Sequence, residues 1–353
     1  MIVYITTYLL SFICLPLDFK KERKSKISFL LYCSILILLI YIASVKDEST
    51  CPDTVNYINS FLSARDLSDF FSIKTFYFEP GYVFWESLIA GLGLNYHFLF
   101  TSIAFVSVSI YGYLFWKYSP YPFLSLFIFV SVAYITQIVV IIRYGLSTAI
   151  MLYALLQYIN KHNQKFLFFA IIATLFHYTA LTFLIFIPFY FVKNKNKLIG
   201  FLLFLGIPLY CVNITILDLV YYINDFLPPY FQFALSKGLQ YVDIQEEAGI
   251  KQLFLYLPAL FYLFKVRLRS SQYEEMLFVF LLSLFMMIEF SQAADLARIN
   301  KMYLSIIYLL YPFGLKLLNK KYASVFYLYI ILYCLYMFVR ISFFNSGLHI
   351  NVV

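Results

Sequence analysis

Charge is what this chain has least of. Only 12% of its 353 residues are Asp, Glu, Lys or Arg, against 63% hydrophobic and 22% aromatic residues. Soluble domains carry about 25% charged residues, and the mean hydropathy here is +0.82. A freely soluble globular protein is therefore excluded. Strict alternation of apolar and polar residues is also missing. The apolar stretches run unbroken for roughly 15–25 residues, which suits membrane helices and rules out an outer-membrane barrel with its ~10-residue alternating strands.

Metal-binding residues are few. There are five cysteines and four histidines, with no CxxC pair and no cluster of His, Cys and carboxylates at ligand spacing. Cys14, Cys33, Cys211 and Cys334 lie in or beside apolar runs, Cys51 stands alone in a polar stretch, and His97, His162, His177 and His349 are scattered. Neither a metal site nor a cofactor is expected. The net charge of +8 does not indicate nucleic acid, because the basic residues sit in short links between apolar runs. That is the positive-inside pattern of a membrane protein.

What the chain has is a series of apolar segments. Residues 2–17 precede the basic cluster Lys20, Lys21, Arg23, Lys24 and Lys26, the reverse of a cleavable signal, so the cluster is expected inside and Met1 outside. Further membrane helices are predicted over 27–45, 97–116, 121–142, 144–160, 198–217, 251–265, 274–290, 299–318 and 323–341. Residues 80–94 form a short run carrying Glu86, and 166–191 make either one tilted helix or two half-helices meeting near His177. If 80–94 does not cross and 166–191 enters and returns, the inner links are 20–26, 117, 161–165, 193–197, 265–269 and 316–321. They then hold 17 of the 26 Lys and Arg side chains, against 15 if both segments cross. The first arrangement is preferred, since it also gathers the unusual polar residues on the extracytoplasmic side.

The expected fold is thus an all-α polytopic membrane protein, one integral membrane domain over 1–353. It would have about 10–12 membrane helices, counting re-entrant half-helices. The larger extracytoplasmic loops are 46–79 and 218–250, and segments such as 63–71 and 241–248 mix aromatics with acids as surface-lying amphipathic helices do. No internal repeat is evident, which speaks against inverted-repeat transporters.

Several polar residues stand at the ends of apolar segments. Arg143 lies between IleValValIleIle (138–142) and a helix-forming stretch. A charge at membrane depth costs roughly 2.5–3.5 kcal/mol on insertion scales and usually serves function. It reads either as a residue snorkelling to a headgroup or as a phosphate clamp, since a guanidinium fork binds phosphate bidentately. His177, in LeuPheHisTyrThrAla, is a packing residue or a donor and proton acceptor. Asp53 and Tyr57 are four apart and share a helix face, Asp53 also suiting an N-cap. Glu79-Pro80-Gly81-Tyr82 reads as a helix start, with the acid beside the positive end of the dipole. Arg298 precedes an apolar helix, where it pairs with Asp295 or, as a cation opposing the dipole, asks for an anion.

The order of these motifs matters. A loop Asp with Tyr four later is followed by Glu-Pro-Gly-Tyr, then Arg-Tyr-Gly-Leu-Ser-Thr-Ala (143–149), Phe-His-Tyr-Thr-Ala (176–180) and a late Arg. Over about residues 45–305 this resembles the EpsG family of polysaccharide-assembly membrane proteins, and in role the Wzy-type O-antigen and capsule repeat-unit polymerases. The resemblance implies a GT-C-like arrangement and a metal-independent glycosyltransferase in the bacterial cytoplasmic membrane. The growing glycan would pass from undecaprenyl diphosphate to an incoming lipid-linked repeat unit at the outer face. A flippase and a chain-length regulator are the implied protein partners. Arg143 and Arg298, with Tyr57 and Tyr82, would hold the phosphate and substrate, and Glu79, Asp53 or His177 would take the acceptor's proton. The alternatives are a lipid-linked oligosaccharide flippase and a membrane O-acyltransferase of surface glycans.

Overall fold

A backbone in lipid has no water to bond with, so its polar groups must be satisfied within the chain, and helices do this segment by segment. The computed structural model describes residues 2–20, 25–46, 51–63, 70, 78–211, 248–266, 270–289 and 297–343. Among them there are helices and no strands, and the chain is an all-α polytopic membrane protein. They divide into two compact units: residues 1–178, 311–313 and 330–353, and residues 179–310 and 314–329.

The first unit begins with α1 (Ile2–Ile13), a 3-10 turn (Leu15–Phe19), α2 (Lys26–Ser44) and α3 (Pro52–Ser63). Then come α4 (Pro80–Gly91), α5 (Tyr96–Tyr118) and α6 (Pro122–Val132). A π-helical segment (Tyr134–Val140) leads into α7 (Ile142–Ile159) and α8 (Asn163–Phe176). α4, at twelve residues, is far short of the ~20 that cross a bilayer.

Packing in this unit is anchored by tyrosines. Tyr4 donates to the Val130 carbonyl at 3.0 Å, Tyr32 to Gly112 at 3.1 Å, and Tyr134 to Leu39. Each hydroxyl ties one helix to the backbone of another, the polar glue expected where lipid offers no hydrophobic drive. The start of α6 is capped by another segment: buried Asp18 accepts the Phe123 and Leu124 amides at 3.2 and 2.8 Å. Those N–H groups have no partner within their own helix.

The predicted helix 121–142 is not continuous. It breaks at Ala133 (φ −133°, ψ −28°) and bends by 69° into the π-helical segment. That segment runs hard against the first turn of α7, where a Cβ at Gly145 would lie 2.0 Å from the Gln137 carbonyl oxygen. Only a glycine permits the approach. The 166–191 segment is likewise interrupted. α8 ends at Phe176 and His177 is extended (φ −158°, ψ 122°), the break expected near His177. The remainder, Tyr178–Tyr190, falls largely in the second unit.

That second unit holds a 3-10 stretch (Tyr178–Ile185), α9 (Phe186–Tyr190), α10 (Lys195–Cys211) and α11 (Ala248–Phe264). It continues with α12 (Ser271–Glu289), α13 (Ala297–Leu304), α14 (Ile307–Leu317) except residues 311–313, and the first part of α15 (Lys320–Phe343), whose residues from 330 on belong to the first unit. α12 is its centre, packing on α10 and α13. Lys195 pairs with Glu275 at 2.8 Å, and Thr182 shares a 2.7 Å hydrogen bond with Tyr303.

By length and composition, five helices among the described residues are able to cross a membrane alone, or six with the bent pair counted as one span. The predicted segments 144–160, 198–217 and 251–265 carry the further helices Ile142–Ile159, Lys195–Cys211 and Ala248–Phe264, residues 212–217 lying outside the described residues, while 121–142 and 299–318 are each interrupted. Of the two long loops, only 46, 51–63, 70, 78–79 and 248–250 are described. The amphipathic segments expected at 63–71 and 241–248 lie almost wholly outside the described residues.

Candidate functional site

The first turn of α7 carries Arg143, immediately after the π-helical segment ends at Ile141 (φ −104°, ψ 70°). A cation here opposes the helix dipole and needs an anion. Glu79 supplies it, in an ion pair between Oε2 and the Arg143 Nη1. Glu79 occupies the N-cap position of α4, yet its side chain makes no bond to its own helix. Its second oxygen accepts the Tyr178 amide at 3.3 Å, just past the break at His177. The acid foreseen as a helix start thus serves two other segments instead.

Glu-Pro-Gly is what makes this reach possible. Pro80 sets the first helical residue of α4. At Gly81 a Cβ would lie 2.7 Å from the Leu175 carbonyl oxygen, so α4 crosses the end of α8 closer than any side chain allows. That crossing brings Glu79 to both Arg143 and Tyr178.

Aromatic rings enclose the guanidinium. Its carbon lies 4.1 Å from the centroid of Phe78, 5.7 Å from Tyr57 and 5.8 Å from Tyr82. The three rings are 5.4–5.7 Å from one another. Cation–π attraction is worth about 2 kcal/mol when the cation is desolvated, and the Arg143 side chain is only 15% exposed. Arg143 Nε has no hydrogen-bond partner among the described residues, so the fork is not fully used.

Tyr57 links this cage to a second cation. Lys46, just beyond α2, is buried and donates to the Val139 carbonyl at 2.8 Å. Its ammonium lies 4.3 Å from the Phe100 ring and 5.8 Å from the Tyr57 ring. Burial pushes its pKa down to about 7, against the pull of Cys51 and Asp53. Asp53 stands half-buried in the first turn of α3. Asp53 and Tyr57 both act on Lys46, as residues of one helix face should.

Beyond the cage lies Glu86, one turn after Tyr82 on α4. It is 1% exposed, and its Oε2 accepts from Ser60 of α3 at 2.9 Å. Its Oε1 and the Tyr82 hydroxyl are buried together, the hydroxyl bonding to the carboxylate. Loss of hydration pushes the carboxyl up to about 7, opposed by Ser60, Tyr82 and Arg143.

The structure brings together Arg143, Glu79, Tyr57 and Tyr82 of the expected site residues, and places Asp53 beside Lys46. His177 is buried at the end of α8, its ring edge-on to Tyr144 at 5.2 Å and stacked on Tyr178 at 5.0 Å. Arg298 stands half-buried in the first turn of α13, in the second unit; Asp295, its expected partner, lies outside the described residues. Sequence reasoning passed over Lys46, Phe78 and Glu86 as site residues. Lys46 ends an apolar helix and Glu86 interrupts an apolar run, the same signal that marked Arg143. Among the described residues no three His, Cys, Asp or Glu side chains gather as a metal site.

Chemically, the cluster is a buried guanidinium with one carboxylate counter-ion and aromatic faces about it. An anion with planar oxygen pairs can compete with Glu79 for the fork, and the rings present surfaces on which a sugar stacks.

The model of the EpsG family matches residues 28–351 of the chain. Among curated proteins, the amylovoran biosynthesis protein AmsC of Erwinia amylovora is 22% identical over 193 residues, 53% of this chain and 52% of that protein. The chain thus spans about half the length of the curated relative it matches. No solved structure matches.

Proposed function

The chain belongs to the EpsG family, and from that premise we propose that it polymerises lipid-linked oligosaccharide repeat units. The family and the amylovoran relative both support a part in extracellular polysaccharide synthesis. The reaction proposed is glycosyl transfer at the outer face of the bacterial cytoplasmic membrane. A sugar hydroxyl of the incoming repeat unit attacks the anomeric carbon of the growing glycan, and the bond to undecaprenyl diphosphate breaks.

The observation that carries this reading is Arg143, a cation in the apolar part of the chain held by one carboxylate and three rings. The departing diphosphate gains negative charge, and a positioned guanidinium stabilises that charge without solvent having to reorganise. In a site poor in water the interaction is stronger than in solution. The diphosphate displaces Glu79 from Arg143, and Glu79 is then released to accept the acceptor's proton, with Asp53 and His177 as the other candidates. Lipid tails hold donor and acceptor in one plane, which lowers the entropic part of the barrier.

Arg143→Lys keeps the charge and removes the fork. Loss of a single transition-state donor costs about 10²–10³ in rate, so long-chain surface polysaccharide should collapse to short bands at unchanged protein level. A normal ladder from that variant overturns the assignment. Arg298→Lys in the same assay tests the separate proposal that Arg298 contacts the substrate. A deletion strain should lose the ladder and still display single repeat units outside. Repeat units stranded inside would instead favour a flippase.

A further inference from the structure

The proposed reaction leaves one buried acid of the cluster unused. Glu86 sits one turn from the cage ring Tyr82, which also faces Arg143; its carboxylate accepts from Ser60 and has the Tyr82 hydroxyl as its other neighbour. A buried carboxylate is costly unless compensated, and the compensating cation within electrostatic reach is Arg143. The donor's diphosphate carries two negative charges where the Glu79 carboxylate it displaces carries one, so its docking on Arg143 weakens the support of a charged Glu86.

We propose that Glu86 takes up a proton when a phosphate group docks on Arg143, so that this site binds its anionic ligand together with one proton. The inference rests on the reading of Arg143 as the phosphate-binding residue and deepens it. The Oε1 and the Tyr82 hydroxyl give the arriving proton a place: an ionised Oε1 accepts from the hydroxyl, and a protonated one donates to it. Tyr82 belongs to the cage itself, so the two events meet in one side chain.

The groups that bear on Glu86 are Ser60 of α3, Tyr82 of its own helix and Arg143 of α7. α3 adds Tyr57, which acts on Tyr82. α5 and α8 meet α4 at Trp85 and Gly81 through Ser102, Phe176 and Leu175, none of which titrates near neutrality. Before the ligand arrives the Glu86 carboxyl titrates at about 7. The bound anion raises that value, which fixes the sign. Affinity is highest and flat below about pH 7, then falls by up to tenfold per pH unit until the liganded value is passed.

The test uses the full-length protein in lipid nanodiscs and an oligosaccharide–diphosphate–undecaprenyl donor, whose phosphates are diesters that stay ionised throughout the range. Calorimetry at pH 7.5–8, repeated in buffers of different ionisation heat, counts protons per ligand bound. Wild type is expected to take up close to one proton more per donor than Glu86→Gln, whose remaining uptake belongs to Lys46. Ser60→Ala removes a bond that favours the ionised form, so the falling part of its affinity profile should move about one unit higher. Equal uptake in wild type and Glu86→Gln, or a Ser60→Ala profile that does not move, overturns the inference and leaves the reading of Arg143 intact. A wild-type protein that does not bind the donor overturns both.

Discussion

Glu79 has two carboxylate oxygens and gives each to a different segment, one to the Arg143 guanidinium and one to the Tyr178 amide. Both side chains of the ion pair are largely shielded from water, so removing one partner strands the other. For a buried pair that loss is about 3 kcal/mol or more, and Glu79→Gln should lower stability on that scale. A thermal melt of the detergent-solubilised protein reads it. The double variant with Arg143→Gln should lose clearly less than the two single losses added, because the stranded charge is gone. At this scale the sequence was informative wherever a charge interrupted apolar residues. Arg143 and Glu79 were visible that way, but their pairing was not, since 64 residues separate them. Lys46 and Glu86 carried the same mark and were not taken up as site residues. Their burial comes from α3, α5 and the π-helical segment closing over them, which no local pattern announces.

The elements were legible as far as their composition went and misread where tertiary contact breaks them. Periodicity and length gave α2, α5, α12 and α15 nearly to their ends. The bend at Ala133 has no proline or glycine to betray it; it follows from Tyr134 anchoring to α2 and from the tight contact of Gln137 on Gly145. Gly81 shows the opposite case, a glycine whose meaning appears only in the packed helix pair. Alanine in a helix interior is usually better than glycine by about 1 kcal/mol. Here the added methyl meets the Leu175 backbone at 2.7 Å, which cannot retreat as a flexible side-chain end would. Overpacking of this kind costs ~1–3 kcal/mol. Gly81→Ala is accordingly expected to destabilise, shown by a lower melting midpoint, and to cut chain extension by pushing Glu79 away from Arg143.

For the molecule as a whole, membrane class and helical fold were written in the scarcity of charge, and the proposed sidedness rests on where the few charges fall. Exposed Leu92, at the turn after α4, and exposed His162, between α7 and α8, are separated by three expected spans, and Leu92 is the outer of the two if α4 does not cross. Single cysteines at these positions, on a background without the native ones, are expected to react with an impermeant thiol reagent from outside at 92 and only after permeabilisation at 162. If α4 crosses, the pattern inverts, with 162 reacting from outside and 92 only after permeabilisation, and the site is re-oriented. The division into two units had no counterpart in the sequence, because contiguous residues such as 310–314 change unit within a single helix.

The bond from Tyr178 to Glu79 is made by the main chain, while the tyrosine ring itself is about half exposed. Heredity therefore has almost no grip on that contact. Any amino acid except proline can supply the amide hydrogen, and drift at position 178 would leave the link untouched and leave no trace of it among homologues. The residue that records the link is its acceptor, 99 positions earlier, so selection on one carboxylate preserves a junction whose other half is free to change its name.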